Sequence, residues 1–216
     1  MLAGGERDFT RSVDWRPAAP LGVLYIAGAL RRAGHCVVIH DTHRAFFRCR
    51  EDGYFRDRTL DDFLRDHVEA PVRAAVPEVI GFASLFNVSS DSVREMALRC
   101  KRLLPAVPVV MGGHYPSNCP GEVLAAGGCD YVIRGEAEEA FVWLCDTLTR
   151  PDADGKIARY PHICSHKMPG GKTPAVIEDL DTLAEPAWDL LAHAGEYIGG
   201  SIDAGSLGEP GDAITV

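Results

Sequence analysis

The chain has 216 residues, 46% hydrophobic and 25% charged, with a formal net charge of −9. That length suits one α/β domain with an appendage, or two very small domains. The acidic balance and scattered arginines argue against broad contact with nucleic-acid phosphates, no run approaches the roughly 18 apolar residues of a membrane span, and the N-terminus lacks the apolar core of a signal peptide, so a cytoplasmic location is the expectation.

Residues 1–19 are polar and irregular. PLGVLYIAGALRRAGH then reads as a helix, with Leu21, Leu24, Ala27, Leu30 and Ala33 at helical spacing, Pro20 at its start and Gly34 at its stop. CVVIHD, Cys36 to Asp41, is a short β-branched run that predicts a buried strand. TLDDFLRDHVEAPVRAAV predicts a helix interrupted at Pro71, and EVIGFASLF the next strand. SSDSVREMALRCKRLL predicts a helix capped by Ser89 or Ser90, with Val93, Met96, Ala97, Cys100 and Leu103 as its buried stripe.

VPVVMGG predicts a further strand, GEVLAAGG a short helix closed by glycine, DYVIRG a strand, and EAEEAFVWLCDTLTR a helix with glutamates at its positive end. Strict alternation with continuous apolar strands implies an α/β fold, a parallel sheet with helices on both faces. After Arg150 the chain is rich in Pro and Gly, which predicts a short hairpin and then an extended connection. The expected organisation is therefore an irregular segment (1–19), a Rossmann-like, flavodoxin-like domain (20–150), and a hairpin with an extended C-terminal linker (151–216).

Ligands of such sheets bind at the C-terminal edge of the strands. Three successive strand ends carry small or polar residues there: ASLFN, the Gly112–Gly113 pair, and Arg134–Gly135–Glu136. His114 and Ser117 follow the double glycine, where backbone N–H groups can approach a bulky ligand closely. Glu136, Glu138 and Glu139 are explained by the helix start alone.

Other motifs carry less. MPGGKT lacks the first glycine of a phosphate-binding loop and continues into Pro174, so a hairpin turn explains it, and no G-x-G-x-x-G occurs. His162, Cys164 and His166 alternate and would share one face of a strand, which suits zinc, but a fourth ligand is not evident. Asp41-Thr42-His43 resembles the start of the cobalt-ligating D-x-H-x-x-G motif, but Phe46 stands at the glycine position and the order along the chain is wrong, so a polar turn is the reading for His43. The seven cysteines show no C-x-x-C and no paired short spacings, and they read as packed thiols in a reducing compartment. No cluster-binding C-x-x-x-C-x-x-C is present.

PLGVLYIAGALRRAGHCVVIHD, EVIGFASLFNVSS, VPVVMGGHYPS, GCDYVIRGEAEEAF and IEDLDTLAEPAWDLL, taken together, resemble the N-terminal cobalamin-binding domain of cobalamin-dependent radical S-adenosylmethionine enzymes over roughly residues 18 to 195. The resemblance implies cobalamin as the cofactor. It places Ser84, Leu85 and Asn87 in the loop that receives the nucleotide tail, Gly112, Gly113 and His114 in the next strand-end loop, and Arg134, Gly135 and Glu136 in the one after. Asn87 stands where the family often has Thr, and Ala83 where it often has Ser. No protein histidine is expected on cobalt. The family opens with a strand of the ILLVNPP type, which MLAGGERDFTRSVDWRPAAP does not show. In the family a radical S-adenosylmethionine barrel follows in cis and supplies an iron–sulfur cluster, S-adenosylmethionine and methyl-transfer or related radical chemistry. The resemblance thus implies a fragment, inactive alone, or a protein without its catalytic half. Two rival readings are a non-catalytic flavodoxin-like interaction or regulatory module and a small zinc protein using His162, Cys164 and His166.

Overall fold

The structure is a computed structural model and describes residues 18–85, 89–170 and 172–198. The expected irregular segment lies almost wholly outside these residues, as does Asn87. Helix α1 (Leu21–Arg32) follows Pro20, buries Leu24, Ala27, Gly28, Ala29 and Leu30, and stops at Ala33, with Gly34 at φ 95° turning the chain away. Helix α2 (Thr42–Glu51) is capped by Asp41, whose carboxylate accepts from the Arg44 N–H.

Helix α3 (Leu60–Leu64) opens on a capping box between Thr59 and Asp62 and runs through a π turn (Arg65–Glu69) into α4 (Ala70–Ala75). The predicted interruption at Pro71 is thus absorbed rather than broken. Proline has no N–H for the carbonyl four residues back, and the widened turn relieves the clash. That carbonyl belongs to His67, and the His40 imidazole donates to it.

Four short strands follow: β1 (Ile80–Ala83), β2 (Val109–Gly112), β3 (Tyr131–Ile133) and β4 (Ile163–Ser165). They form one sheet in that order. β1, β2 and β3 are parallel, with Ile80 opposite Val109 and Val110 opposite Tyr131, while β4 runs antiparallel to β3 with Ile163 opposite Ile133. The sheet is therefore mixed and mostly parallel. Helices α5 (Ser90–Leu103), α6 (His114–Asn118), α7 (Pro120–Ala126), α8 (Glu138–Leu148), α9 (Ala153–Arg159) and α10 (Gly195–Ile198) complete the order.

Side-chain alternation along β2 divides the core. Val109 and Met111 pack with Phe63, Val93, Met96, Ala97 and Cys100 on one face. Val110 packs with Ile133, Ala140, Leu144, Ile157 and Ile163 on the other. Helices thus cover both faces, the flavodoxin-like arrangement expected from the alternation of elements.

Two expectations need correction. Cys36–Asp41 forms no strand and belongs to no sheet, and Val38 is 74% exposed instead of buried. Its β-branched residues favour extended backbone, but no described strand pairs with it; Ile39 packs onto Leu24, Leu191 and Tyr197. The C-terminal region is also richer than a hairpin and linker. Residues 153–159 form α9, anchored by the buried Ile157, and β4 then pairs with β3 before a tight turn from Ser165 to Met168.

Residues 172–198 then form a strap across the domain. Ala175 bridges Gly135 in parallel. Arg32 donates to the Thr182 carbonyl, Arg31 pairs with Asp189, and the Ala187 N–H donates to the Leu24 carbonyl. The strap ends near the start of α2, where the Tyr197 hydroxyl donates to Asp41 and Glu196 pairs with Arg44. No helix among the described residues is long and apolar enough to cross a membrane.

Candidate functional site

The parallel strands deliver three loops to one edge. At the end of β1, Ser84 is only 2% exposed and its N–H donates to the Gly112 carbonyl, while Leu85 is 62% exposed. At the end of β2, Gly113 has φ 103°, and a Cβ there would lie 2.5 Å from the Ser84 carbonyl oxygen. No side chain fits at that contact, so the first two loops meet backbone against backbone. Gly112 and Gly113 are partly exposed, and His114, exposed, opens α6.

The third loop is built differently. Gly135 has φ 78° and its N–H donates to the Ser117 hydroxyl at 2.9 Å. The Arg134 guanidinium donates to the Ser117 carbonyl at 2.7 Å and to the Lys172 carbonyl. The Ala175 N–H donates to the Arg134 carbonyl at 2.8 Å, and the Glu136 N–H donates to the Ala175 carbonyl at 3.1 Å. The Glu136 carboxylate accepts from the Ile177 N–H. Arg134, Gly135 and Glu136 thus stand at the expected edge, with much of their hydrogen-bonding capacity holding α6 and the strap. Ser117 ties the second loop to the third.

Beneath the first two loops lies a cavity of about 80 Å³ between the strand ends, the first turn of α5 and the α6–α7 pair. Ser84, Asp91, Val93, Met111, Tyr115 and Glu122 are among its lining residues. Burial pushes the Tyr115 phenol above its ordinary value, and the carboxylates of Glu122 and Asp91 add to the shift. Tyr115, Asp91 and Glu122 were not singled out from the sequence: α6 is one and a half turns long and breaks at Cys119, too short to show a periodicity.

The arrangement offers backbone groups and small residues rather than a reactive constellation. Among the described residues no group of three His, Cys, Asp or Glu side chains is placed to hold a metal ion. His162 meets the Thr173 carbonyl, His166 meets the Cys129 carbonyl, and Cys164 is buried in the sheet, so the alternate His-Cys-His run is not gathered into a site. His43 sits in the first turn of α2 behind the capping Asp41. Glu138 opens α8 with its Oε2 buried and unpartnered, and burial raises its carboxyl above the usual range. Lys172, read as part of a hairpin turn, donates to the Ala158 carbonyl.

The edge therefore presents a row of glycine-bearing strand ends above a small cavity of about 80 Å³. Residues 16–144, more than half of the chain, match the family described as the B12 binding domain. Hopanoid C-3 methylase of Methylococcus capsulatus is 30% identical over 187 residues, 85% of this chain and 32% of that protein. Cytidylyl-2-hydroxyethylphosphonate methyltransferase of Streptomyces wedmorensis is 26% identical over 198 residues, covering 78% of this chain and 36% of that protein. The chain thus spans about a third of the length of the curated relatives it matches. Among solved structures, the radical S-adenosylmethionine methyltransferase TsrM from Kitasatospora setae, with cobalamin and a [4Fe-4S] cluster bound, shares the fold at a TM-score of 0.53 and 20% identity, over 79% of this chain and 29% of that one.

Proposed function

This chain belongs to the B12-binding domain family, and we propose that it holds cobalamin for a larger methyltransferase of the radical S-adenosylmethionine type. The observation that carries the reading is the agreement between that family match and the three strand-end loops gathered at one edge of the sheet, where Gly113 and Gly135 let backbone pack directly on backbone. The curated relatives named above are a methylase and a methyltransferase, which supports methyl transfer as the reaction of the full protein.

When bound, cobalamin supplies a cobalt centre that accepts and donates a methyl group; the protein supplies position and surroundings. The roles of this chain's own residues are binding roles. Ser84, beside the cavity, and Leu85 would receive the nucleotide tail together with Asn87, which lies outside the described residues. Gly112, Gly113 and His114 would offer backbone groups and one imidazole to the bound cofactor. Arg134, Gly135 and Glu136 hold the third loop and the strap in register. The iron–sulfur cluster, S-adenosylmethionine and the substrate belong to a second domain, expected in cis.

The test is a titration of the purified chain with hydroxocobalamin, followed by absorbance and by retention through desalting. A stoichiometric spectral change and retained corrinoid are expected. A folded chain that emerges colourless refutes the proposal and favours the second reading, a flavodoxin-like interaction module. That reading draws on the Cys36–Asp41 segment, which lies outside the sheet.

A further inference from the structure

The strap does more than cross the domain; it lengthens the ligand face. The Arg134 N–H donates to the His162 carbonyl on the β4 side of β3, and the Arg134 carbonyl accepts from Ala175. The N–H and carbonyl of one strand residue point to the same side, so Ala175 continues the sheet beyond the N-terminal start of the antiparallel β4. The row of strand ends then reads β1, β2, β3, strap. Three spacings of about 4.8 Å make it roughly 14 Å wide.

Both ends of that row carry an apolar side chain turned outward. Leu85 follows β1 and is 62% exposed; Val176 follows the Gly135–Ala175 bridge and is 75% exposed. Alternation along the strap explains the second: Ala175 and Ile177 are partly covered, and Val176 between them faces out. Resting on the reading above, we propose that Leu85 and Val176 are the two apolar lips of the cobalamin site, Leu85 beside the nucleotide tail and Val176 against the rim of the corrin ring, and that the strap is a wall of that site. A large macrocycle with its appended tail covers both lips at once; a small ligand over the cavity, which lies at the Leu85 end of the row, leaves Val176 uncovered.

The experiment compares hydroxocobalamin binding by the wild-type chain and by Val176→Glu, Leu85→Glu and Leu180→Glu, with far-UV circular dichroism and urea midpoints confirming that each is folded. Leu180 is the control, 64% exposed on the same strap but opening the short turn Leu180–Thr182 whose last carbonyl accepts from Arg32. A charge in place of a covered valine or leucine weakens binding by about tenfold or more. Val176→Glu and Leu85→Glu are expected to lose that much, and Leu180→Glu to bind as wild type. Wild-type affinity in Val176→Glu, or an equal loss in Leu180→Glu, overturns the assignment while leaving cobalamin binding intact. Failure of the wild-type chain to bind overturns the underlying reading, and this assignment with it.

Discussion

Replacing Gly135 by alanine tests how the strap is held. At φ 78° an alanine costs about 1–2 kcal/mol for the left-handed backbone. Its Cβ would also lie 2.2 Å from the Ala175 oxygen and 2.6 Å from the Ala175 nitrogen. Both are backbone atoms, so no side chain can swing aside and the strap must lift. Lifting breaks the Ala175-to-Arg134 and Glu136-to-Ala175 hydrogen bonds, worth about 1 kcal/mol each. The sum is about 3–4 kcal/mol, a large part of a typical domain stability of about 5–15 kcal/mol. Urea unfolding followed by far-UV circular dichroism measures the loss, and limited proteolysis reports whether residues 172–178 become cleavable. Gly112→Ala is the internal control: its nearest foreign atom is 3.9 Å away and its φ is not positive, so a change below about 1 kcal/mol is expected. Equal midpoints for the two variants, with the strap still protected, would refute the argument.

Two further outcomes follow from the same packing logic. Gly28→Ala should destabilise although alanine is the better helix former by about 1 kcal/mol, because its Cβ would meet the Glu185 carbonyl oxygen at 2.1 Å where the strap crosses α1; a thermal melt showing stabilisation sinks this. Glu138→Gln should raise the melting temperature at pH 7.5 and lose most of that advantage by pH 4. Burial holds the folded-state carboxyl above its usual 4.5, so the folded chain binds the proton more tightly and its stability falls as pH rises through the window above that value. A variant-minus-wild-type difference that does not change with pH contradicts the assignment.

Much of the fold was legible because β1, β2 and β3 are continuous apolar runs bounded by turns, and α5 shows a clean stripe at Val93, Met96, Ala97 and Cys100. Cys36–Asp41 misled because its β-branched composition reports a preference for extended backbone, whereas membership of a sheet needs a neighbour. The helix at Ala153–Arg159 was hidden by Pro151, Asp152 and Gly155, which read as loop, and is held by one buried side chain, Ile157. At the site, the glycines announced where backbones approach closely. What they approach was not legible: Gly113 meets Ser84, about thirty residues away along the chain, and Gly135 meets Ala175, about forty away. Local patterns carry no record of such partners. The pairing of Arg134, Glu136 and Ser117 with the strap and with one another was invisible for the same reason.

The order of attachments along residues 172–198 gives the domain a mechanical polarity. Tension arriving from the C-terminal end would first strip Tyr197 from Asp41 and Glu196 from Arg44, then Asp189 from Arg31, then Ala187 from Leu24, then Thr182 from Arg32. Only after those ruptures does the load reach Ala175 at Gly135. Any pull on that end would thus be absorbed by sacrificial contacts on α1 and α2, as in a belt unbuckled notch by notch, and the loop beside β3 would feel it last.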